Sequence, residues 1–274
     1  MQVAELTSSA GRRELVLVAT LLVALAAVID PADAFIVAGL LPVVIVLGGV
    51  GLLSGLESPA RPYTSLLLPA VLTSGAAAAV HLVPVGLWLL VGLLGLAVVL
   101  DQMLALEIGI LAQPKGVSDG DRARVLGAAV GTAFVAFTGV AAVVPGGMPE
   151  PTAAVTAGAG AMTQGGIVVL AVADAIAALV IGWRISSLRF GQPLEVARSA
   201  MTYALVIAIA AGLIRAIDLP RLVGPAVLTL VFYLWDAQHG SAPARRQERR
   251  FLIEMVLLAV LAVVVVAWNT RISG

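Results

Sequence analysis

The sequence contains no cysteine and little charge: Asp, Glu, Lys and Arg make up 12% of its 274 residues, whereas 61% are hydrophobic. The absence of cysteine excludes disulfides, thiolate nucleophiles, iron–sulfur clusters and cysteine-ligated zinc. A soluble domain carries about 25% charged residues, and the mean hydropathy here is +1.07, so most of this surface is unsuited to water. The formal net charge of zero argues against a nucleic-acid partner. These features indicate an integral membrane protein.

Nine apolar segments separated by turn residues predict an all-α, polytopic transmembrane helix bundle that forms a single domain over residues 1–274. Most segments are close to the roughly 20 residues that a helix needs to cross the hydrocarbon core. The predicted spans are 14–29, 34–53, 63–83, 85–112, 125–144, 154–185, 199–217, 222–237 and 251–268.

The basic residues test this count independently, because short cytoplasmic loops are enriched in Lys and Arg. With the N-terminus in the cytoplasm and the C-terminus outside, 13 of the 16 basic residues fall on the inner side. The three on the outer side are Arg215, Arg221 and Arg271. The four tryptophans also fall at span ends, where aromatic belts lie. We therefore predict a multi-pass protein of a bacterial cytoplasmic membrane.

The fourth span, Val85–Ala112, is a long apolar run, and we expect the rest of the bundle to be organised around it. As a helix it reaches about 42 Å, more than the ~30 Å hydrocarbon core requires. It contains Asp101, Gln102 and Glu107, and an ionised carboxylate inside a bilayer costs about 2.5–3.5 kcal/mol. Asp101 lies about sixteen residues from the outer end. We expect it to face the bundle interior near the sixth span and to form hydrogen bonds there without an arginine partner.

Asp174 on the sixth span lies at a similar depth, about eighteen to twenty residues from the same side of the membrane. Asp101 and Asp174 are therefore predicted to come to one level in the inner half of the membrane. Two interpretations stay open: a proton or cation relay, or two buried acids with structural hydrogen bonds. The candidate intramembrane polar site consists of Asp101, Gln102 and Asp174.

Other charged residues are predicted to form ion pairs near the membrane interfaces. Arg215 lies three residues before Asp218, a spacing at which helical side chains meet. Three acids are predicted near the cytoplasmic interface: Glu107, Asp236 and Glu254. The arginines within predicted reach of them are Arg184, Arg189, Arg245 and Arg249. The predicted interfacial ion-pairing residues are Glu107, Arg215, Asp218 and Glu254, with Asp236 in the same environment.

The residues expected of an enzyme or a metal site are missing. His81 and His239 are predicted on opposite faces of the membrane and cannot build one metal site. The only lysine, Lys115, lies in a polar loop, so no retinal Schiff base is available. Residues 119–124 match the opening of the CDP-alcohol phosphotransferase motif, but its later aspartates have no counterpart here. We predict no catalytic residues, no metal and no cofactor, and the sequence leans against an enzyme.

Several stretches resemble an uncharacterised family of bacterial multi-pass integral membrane proteins, a domain of unknown function. The resemblance begins near Leu66 and covers about three quarters of the chain. In that family an acidic–amide pair occupies the position of Asp101-Gln102. The resemblance implies the same all-helical membrane fold and offers no activity. The stretches that carry it are LLLPAVLTSGAA (Leu66–Ala77), LDQMLALEIGILA (100–112), LTLVFYLWDAQHG (Leu228–Gly240) and RRFLIEMVLLAVLAVVVVAWNTR (Arg249–Arg271).

Three classes of function are compatible with this sequence. The leading hypothesis is a non-catalytic integral membrane protein with a structural, accessory or scaffold role, whose small residues let helices pack closely. The alternative is a secondary transporter or lipid carrier that uses the intramembrane carboxylates Asp101 and Asp174. The third class is a membrane-embedded, lipid-modifying enzyme. The predicted partners are membrane lipids and other membrane proteins, with no nucleic acid, and the sequence does not set the oligomeric state.

Overall fold

A computed structural model of the chain describes residues 2–53, 62–113, 117–144, 147, 164–215 and 222–240, together with 253, 256–258 and 260. The regular structure of these residues is entirely helical, as predicted. A 3₁₀ turn spans Val80–Leu82. The α-helices with defined bounds are α1 (Gln2–Val28), α2 (Pro31–Leu53), α3 (Pro62–Ser65), α4 (Leu67–Ala79), α5 (Leu87–Leu111), α6 (Asp119–Val143), α7 (Gln164–Ser187), α8 (Pro193–Arg215) and α9 (Val223–Gly240).

Six segments of the described chain are long and apolar enough to cross a membrane, which makes this an integral membrane protein. Helix α1 is not among them, because Arg12, Arg13 and Glu14 interrupt it and only fourteen residues follow Glu14. The predicted ninth span, 251–268, lies almost wholly outside the described residues. The six segments are Ile36–Leu53, Tyr63–Leu82, Leu87–Leu111, Asp119–Val143, Gly165–Ser187 and Pro193–Ile214.

Several helices begin earlier than the sequence suggested, among them α1, α6 and α8. Helix α1 begins at Gln2, twelve residues before the predicted start of the first span. Helix α6 begins at Asp119, inside a stretch predicted as a polar loop, because Ser118 caps it. The Ser118 hydroxyl oxygen accepts the backbone N–H of Asp121 at 3.1 Å, which satisfies one of the free donors of the first turn. Polar residues ahead of an apolar run are thus extensions of the helix in α1 and α6.

The third predicted span is broken into two helices and a 3₁₀ turn. The break lies at Leu66, between α3 and α4, and Pro69 explains it. Proline has no backbone N–H and its ring clashes with the carbonyl four residues earlier, here that of Ser65. Regular helical bonding resumes after the break, where Ala70 N–H donates to the Leu66 carbonyl at 3.0 Å.

The core lies around α4, not around α5 as expected. Two clusters of buried apolar side chains fill the bundle, one among α1, α2, α4 and α5 and the other mainly among α6 to α9. Helices α4 and α5 both contribute to the two clusters, but 56% of the Tyr63–Leu82 window is buried against 17% for Leu87–Leu111. The residues of α5 that are buried all belong to its C-terminal half, from Leu100 onward. The N-terminal half of α5 is therefore exposed at the edge of the described bundle.

Helices α4 and α6 pack with backbone against backbone at two glycines. A Cβ atom added to Gly75 would lie 2.8 Å from the Ala136 Cα, and one added to Gly139 would meet the Gly75 carbonyl oxygen. Helices in membranes associate closely through such small residues because side-chain packing replaces the hydrophobic effect there. The glycine pair therefore sets the distance between the two most buried of the six membrane-crossing segments in the described chain.

We expect Gly75→Ala to destabilise the protein by about 1–3 kcal/mol, because the neighbouring backbone of α6 must move to admit the methyl group. The measurement is reversible unfolding in mixed micelles. Gly131→Ala on α6 is the matched control, since nothing lies within 4 Å of its added Cβ. It should be neutral or stabilising by up to about 1 kcal/mol through helix propensity. Equal losses in the two variants would contradict the close approach.

Candidate functional site

Asp101 of α5 forms an ion pair with Arg12 of α1. Arg12 Nε donates to Oδ1 at 2.8 Å and Nη2 lies 3.4 Å from Oδ2, a forked arrangement that suits a guanidinium and a carboxylate. The two side chains are 25% and 29% exposed. The expectation that Asp101 has no arginine partner is therefore wrong. The physical reason is the longer α1, which carries Arg12 as helix alongside α5 instead of leaving it in a cytoplasmic tail.

Glu107 forms a second ion pair with Arg184 near the end of α7. Arg184 Nε donates to Oε1 at 2.9 Å, and Nη2 contacts Oε2. The side chains are only 2% and 5% exposed, so both charges are removed from solvent together. Arg184 also donates to the Ser187 hydroxyl at 3.2 Å. Arg184 is one of the arginines that the sequence placed within reach of Glu107.

Asp236 of α9 accepts bonds from two different elements. The Tyr203 hydroxyl of α8 donates to Oδ1 at 2.6 Å, and Arg189, which follows α7, donates from Nη2 to Oδ2 at 2.9 Å. Arg189 Nη1 also donates to the Tyr203 oxygen at 3.1 Å. Burial acts to lower the pKa of Arg189, but the hydrogen bond and charge of Asp236, with Tyr203, raise it above its ordinary value overall. Arg189 is therefore held in its charged form.

The three ion pairs lie at one end of the bundle. Asp101 and Glu107 are six residues apart on α5, about 9 Å along the axis, and they face different neighbours because six residues turn a helix by about 120° from its starting direction. Arg184 and Arg189 follow one another at the end of α7, and Asp236 belongs to the last turns of α9. We call this set of pairs the arginine–carboxylate layer. It joins α1 to α5, α5 to α7, and the end of α7 to α8 and α9.

The other members of the predicted polar site occupy different places. Asp174 is fully buried on α7, ten residues or about 15 Å before Arg184, and takes part in an interaction of its own. Gln102 is exposed beside Asp101. An encounter between Asp101 and Asp174 stays a prediction. The Arg215 side chain, Asp218 and Glu254 lie outside the described residues, so their predicted pairing does too.

A groove runs between α1 and α5 beside the Arg12–Asp101 pair. Its volume is ≈ 510 Å³, and its walls are polar at one end and apolar along the rest. The polar end consists of Arg12, Arg13, Asp101 and Gln102. We call it the α1–α5 groove. It lies on the outside of the described bundle, since Leu17 and Val98 in its walls are 59% and 61% exposed.

The sequence did not identify Arg12 as the partner of Asp101. It also did not identify Tyr203 as a partner of Asp236. For Arg12 a signal was present, since the arginine directly precedes the predicted first span and an N-terminal extension of that helix brings it level with the inner half of α5. For Tyr203 no comparable signal exists. A single tyrosine in an apolar helix is compatible with lipid, core or interface positions.

We expect Asp101→Asn to cost about 1 kcal/mol, because a partly exposed pair loses little when one charge is removed and Arg12 can turn to water. Thermal unfolding in detergent measures this. Gln102→Leu, an exposed neighbour on the same helix, is the control and should change stability by less than about 0.5 kcal/mol. A loss above about 3 kcal/mol for Asp101→Asn would show that Arg12 has no access to water.

Together the fold and the layer define a helical membrane protein in which three carboxylates are paired with arginines from other elements of the bundle. Comparisons with protein-family models, curated proteins and solved structures return no match for this chain. The resemblance to an uncharacterised bacterial membrane family therefore stays a prediction, and the function has to be inferred from the geometry.

Proposed function

We propose that the chain is a non-catalytic integral membrane protein with a structural, accessory or scaffold role. The arginine–carboxylate layer is the observation that supports it. Asp101, Glu107 and Asp236 each hold an arginine from another part of the chain, so these acids serve helix–helix contacts. Charged residues in membrane segments usually face the bundle interior and pair with one another.

The layer suits a scaffold for a physical reason. Hydrophobic surfaces alone discriminate poorly between helix neighbours in lipid, because the lipid tails are as apolar as the side chains. Breaking the buried Glu107–Arg184 pair leaves an uncompensated charge, so this pair penalises any arrangement in which α5 and α7 separate. The two partly exposed pairs add smaller penalties. The three ion pairs link α1, α5, α7 and α9, and Tyr203 adds α8 through its hydrogen bonds, so the layer favours one arrangement of these helices over its alternatives.

We further propose that this scaffold crosses a bacterial inner membrane nine times, with the N-terminus in the cytoplasm and the C-terminus outside. The distribution of basic residues supports this topology. In that orientation the arginine–carboxylate layer, which includes Arg184 and Arg189, lies on the cytoplasmic side. Short loops concentrate positive charge on that side. Membrane lipids and other membrane proteins are then its expected partners.

The absence of cysteine from the sequence gives a direct test of the topology. We expect a membrane-impermeant maleimide to label Glu150→Cys and Asn269→Cys in intact cells, since both positions are predicted outside. Lys115→Cys and Ser241→Cys should react only after permeabilisation. The wild-type chain is the blank control. Labelling of Ser241→Cys in intact cells would overturn the nine-span topology.

The leading alternative is a secondary transporter or lipid carrier that uses Asp101 and Asp174. Two observations favour it as a second candidate: the α1–α5 groove reaches Asp101, and Asp174 is fully buried in the apolar middle of α7. Groups of this kind mark proton and ion paths in transporters. A membrane-embedded, lipid-modifying enzyme is the third candidate and has no comparable support in the geometry.

Proton flux in reconstituted vesicles distinguishes these proposals. A structural or accessory protein should give the same flux as protein-free vesicles, and Asp101→Asn and Asp174→Asn should change nothing. A pH-sensitive dye trapped inside the vesicles provides the readout. Flux that depends on wild-type protein and is lost in folded Asp174→Asn would overturn the non-catalytic role and favour the transporter.

A further inference from the structure

We propose that the α1–α5 groove binds one anionic phospholipid, with its phosphate on Arg12 and Arg13 and one acyl chain along the apolar walls. This goes beyond a structural role and does not depend on it. The groove combines charged and apolar walls, which is the chemistry of a lipid rather than of a soluble anion. The polar end consists of Arg12, Arg13, Asp101 and Gln102.

The polar end of the groove carries net positive charge. Asp101 offsets Arg12, but Arg13 is exposed and takes part in none of the ion pairs among the described residues. Glu14 does not line the groove, because it lies about 200° around α1 from Arg12. One arginine charge is therefore available to a phosphate.

The Arg12–Asp101 pair positions a donor for that phosphate. Arg12 uses Nε and Nη2 on the carboxylate, which leaves Nη1 out of the pair. A guanidinium has five N–H donors in a fixed planar fork and matches phosphate oxygens well. Asp101 thereby holds the Arg12 side chain against α5, beside the exposed Arg13.

The α1 wall of the groove, including its polar end, has about the length of one membrane leaflet. From Arg12 to Leu21, α1 advances nine residues, or about 13.5 Å, and half of the hydrocarbon core is about 15 Å. The side chains along this path are open to an acyl chain: Leu17, Leu21 and Val98 are 59%, 60% and 61% exposed. A phosphate at the arginines therefore places its acyl chain beside these residues.

Native mass spectrometry of the full chain tests the headgroup. The protein is stripped of lipid in detergent and offered equal amounts of phosphatidylglycerol and phosphatidylcholine with identical acyl chains. We expect phosphatidylglycerol to be retained about fivefold better, the effect of one arginine near an anionic lipid. Arg13→Gln should abolish this preference. Arg198→Gln, which removes another exposed arginine at the start of α8, is the matched control and should preserve it.

A second pair of variants tests the acyl chain. Val98→Phe fills the groove from an exposed wall position, and we expect it to reduce retention of phosphatidylglycerol about fivefold. Val91→Phe, seven residues earlier on nearly the same face of α5 and outside the groove, should have no effect. Because both positions are exposed, neither substitution should impair folding, which thermal unfolding checks.

Each of the other outcomes would overturn the proposal. Equal retention of the two lipids, or an equal loss of preference in Arg198→Gln, indicates general attraction between the lipid and a basic surface. Full retention by Val98→Phe indicates that no acyl chain lies in the groove. Displacement of the lipid by glycerol phosphate at similar concentrations would assign the arginines to a soluble phosphate instead.

Discussion

Replacing Glu107 with leucine should destabilise the protein by about 3–5 kcal/mol, because it leaves the Arg184 guanidinium buried and without its partner. The side chains of this pair are 2% and 5% exposed, so neither charge can recover hydration by a small movement. Arg184→Met should cost a similar amount by leaving the carboxylate alone. Reversible unfolding in mixed micelles measures both losses.

The double variant is the decisive comparison. With Glu107→Leu and Arg184→Met together, no uncompensated charge remains, and buried pairs replaced by apolar residues are often neutral or more stable. We therefore expect the double variant to recover most of the stability lost by either single one. Arg122→Met is the control, since Arg122 is 50% exposed in its pair with Asp119 and should cost below about 1 kcal/mol. Losses that add fully in the double variant would show that the two side chains contribute independently of each other.

The membrane class and helical fold could be predicted from sequence because hydrophobicity is a local property. A run such as Leu87–Leu111 needs no tertiary information to be recognised as a span. Helix ends were less predictable, since α1 includes polar residues that hydropathy assigns to a tail. The break at Leu66 follows from Pro69, whose ring clashes with the carbonyl four residues earlier. The apolar pattern of the sequence does not show at which residue the helix is interrupted.

The centre of the bundle could not be predicted from hydropathy. Helix α5 has the longer apolar run, but α4 is central because Gly75 allows α6 to approach it closely. Hydropathy measures affinity for an apolar medium, and lipid and protein core are both apolar. Length and apolarity therefore cannot tell a lipid-facing helix from a buried one, whereas small residues at a contact can.

For the candidate site, the depth of Asp101 could be predicted from the sequence, but its arginine partner could not. The depth of Asp101 follows from its position along α5: about 24 Å from the outer end leaves only about 6 Å to the inner edge of a ~30 Å core. An arginine near the interface can span that distance, because its long aliphatic stem can lie along apolar surface. Which arginine reaches the acid depends on which helices are neighbours, and a single sequence does not contain that information.

Replacing Asp236 with leucine should cost about 2–4 kcal/mol, because one substitution leaves two donors without their acceptor. The Tyr203 residue is 1% exposed, so its hydroxyl has no water to replace the 2.6 Å bond. The Arg189 side chain is 24% exposed and can recover part of its hydration, which keeps the loss below that expected for a fully buried ion pair. Unfolding in mixed micelles gives the magnitude.

Tyr203→Phe separates the two contributions. It removes the hydroxyl but leaves Asp236 with Arg189, and we expect a loss of about 1 kcal/mol, well below that of Asp236→Leu. Thr202→Val is the matched control on the same helix. The Thr202 hydroxyl accepts a bond from Trp235 and donates one to the Ser199 carbonyl, and because both bonds are exposed the substitution should change stability by less than about 0.5 kcal/mol. If Tyr203→Phe cost as much as Asp236→Leu, Arg189 would contribute nothing, and the layer would join α8 to α9 through the tyrosine alone. A loss for Asp236→Leu that clearly exceeds the loss for Tyr203→Phe instead places Arg189 in the contact, so that Asp236 joins α9 both to α8 and to the end of α7.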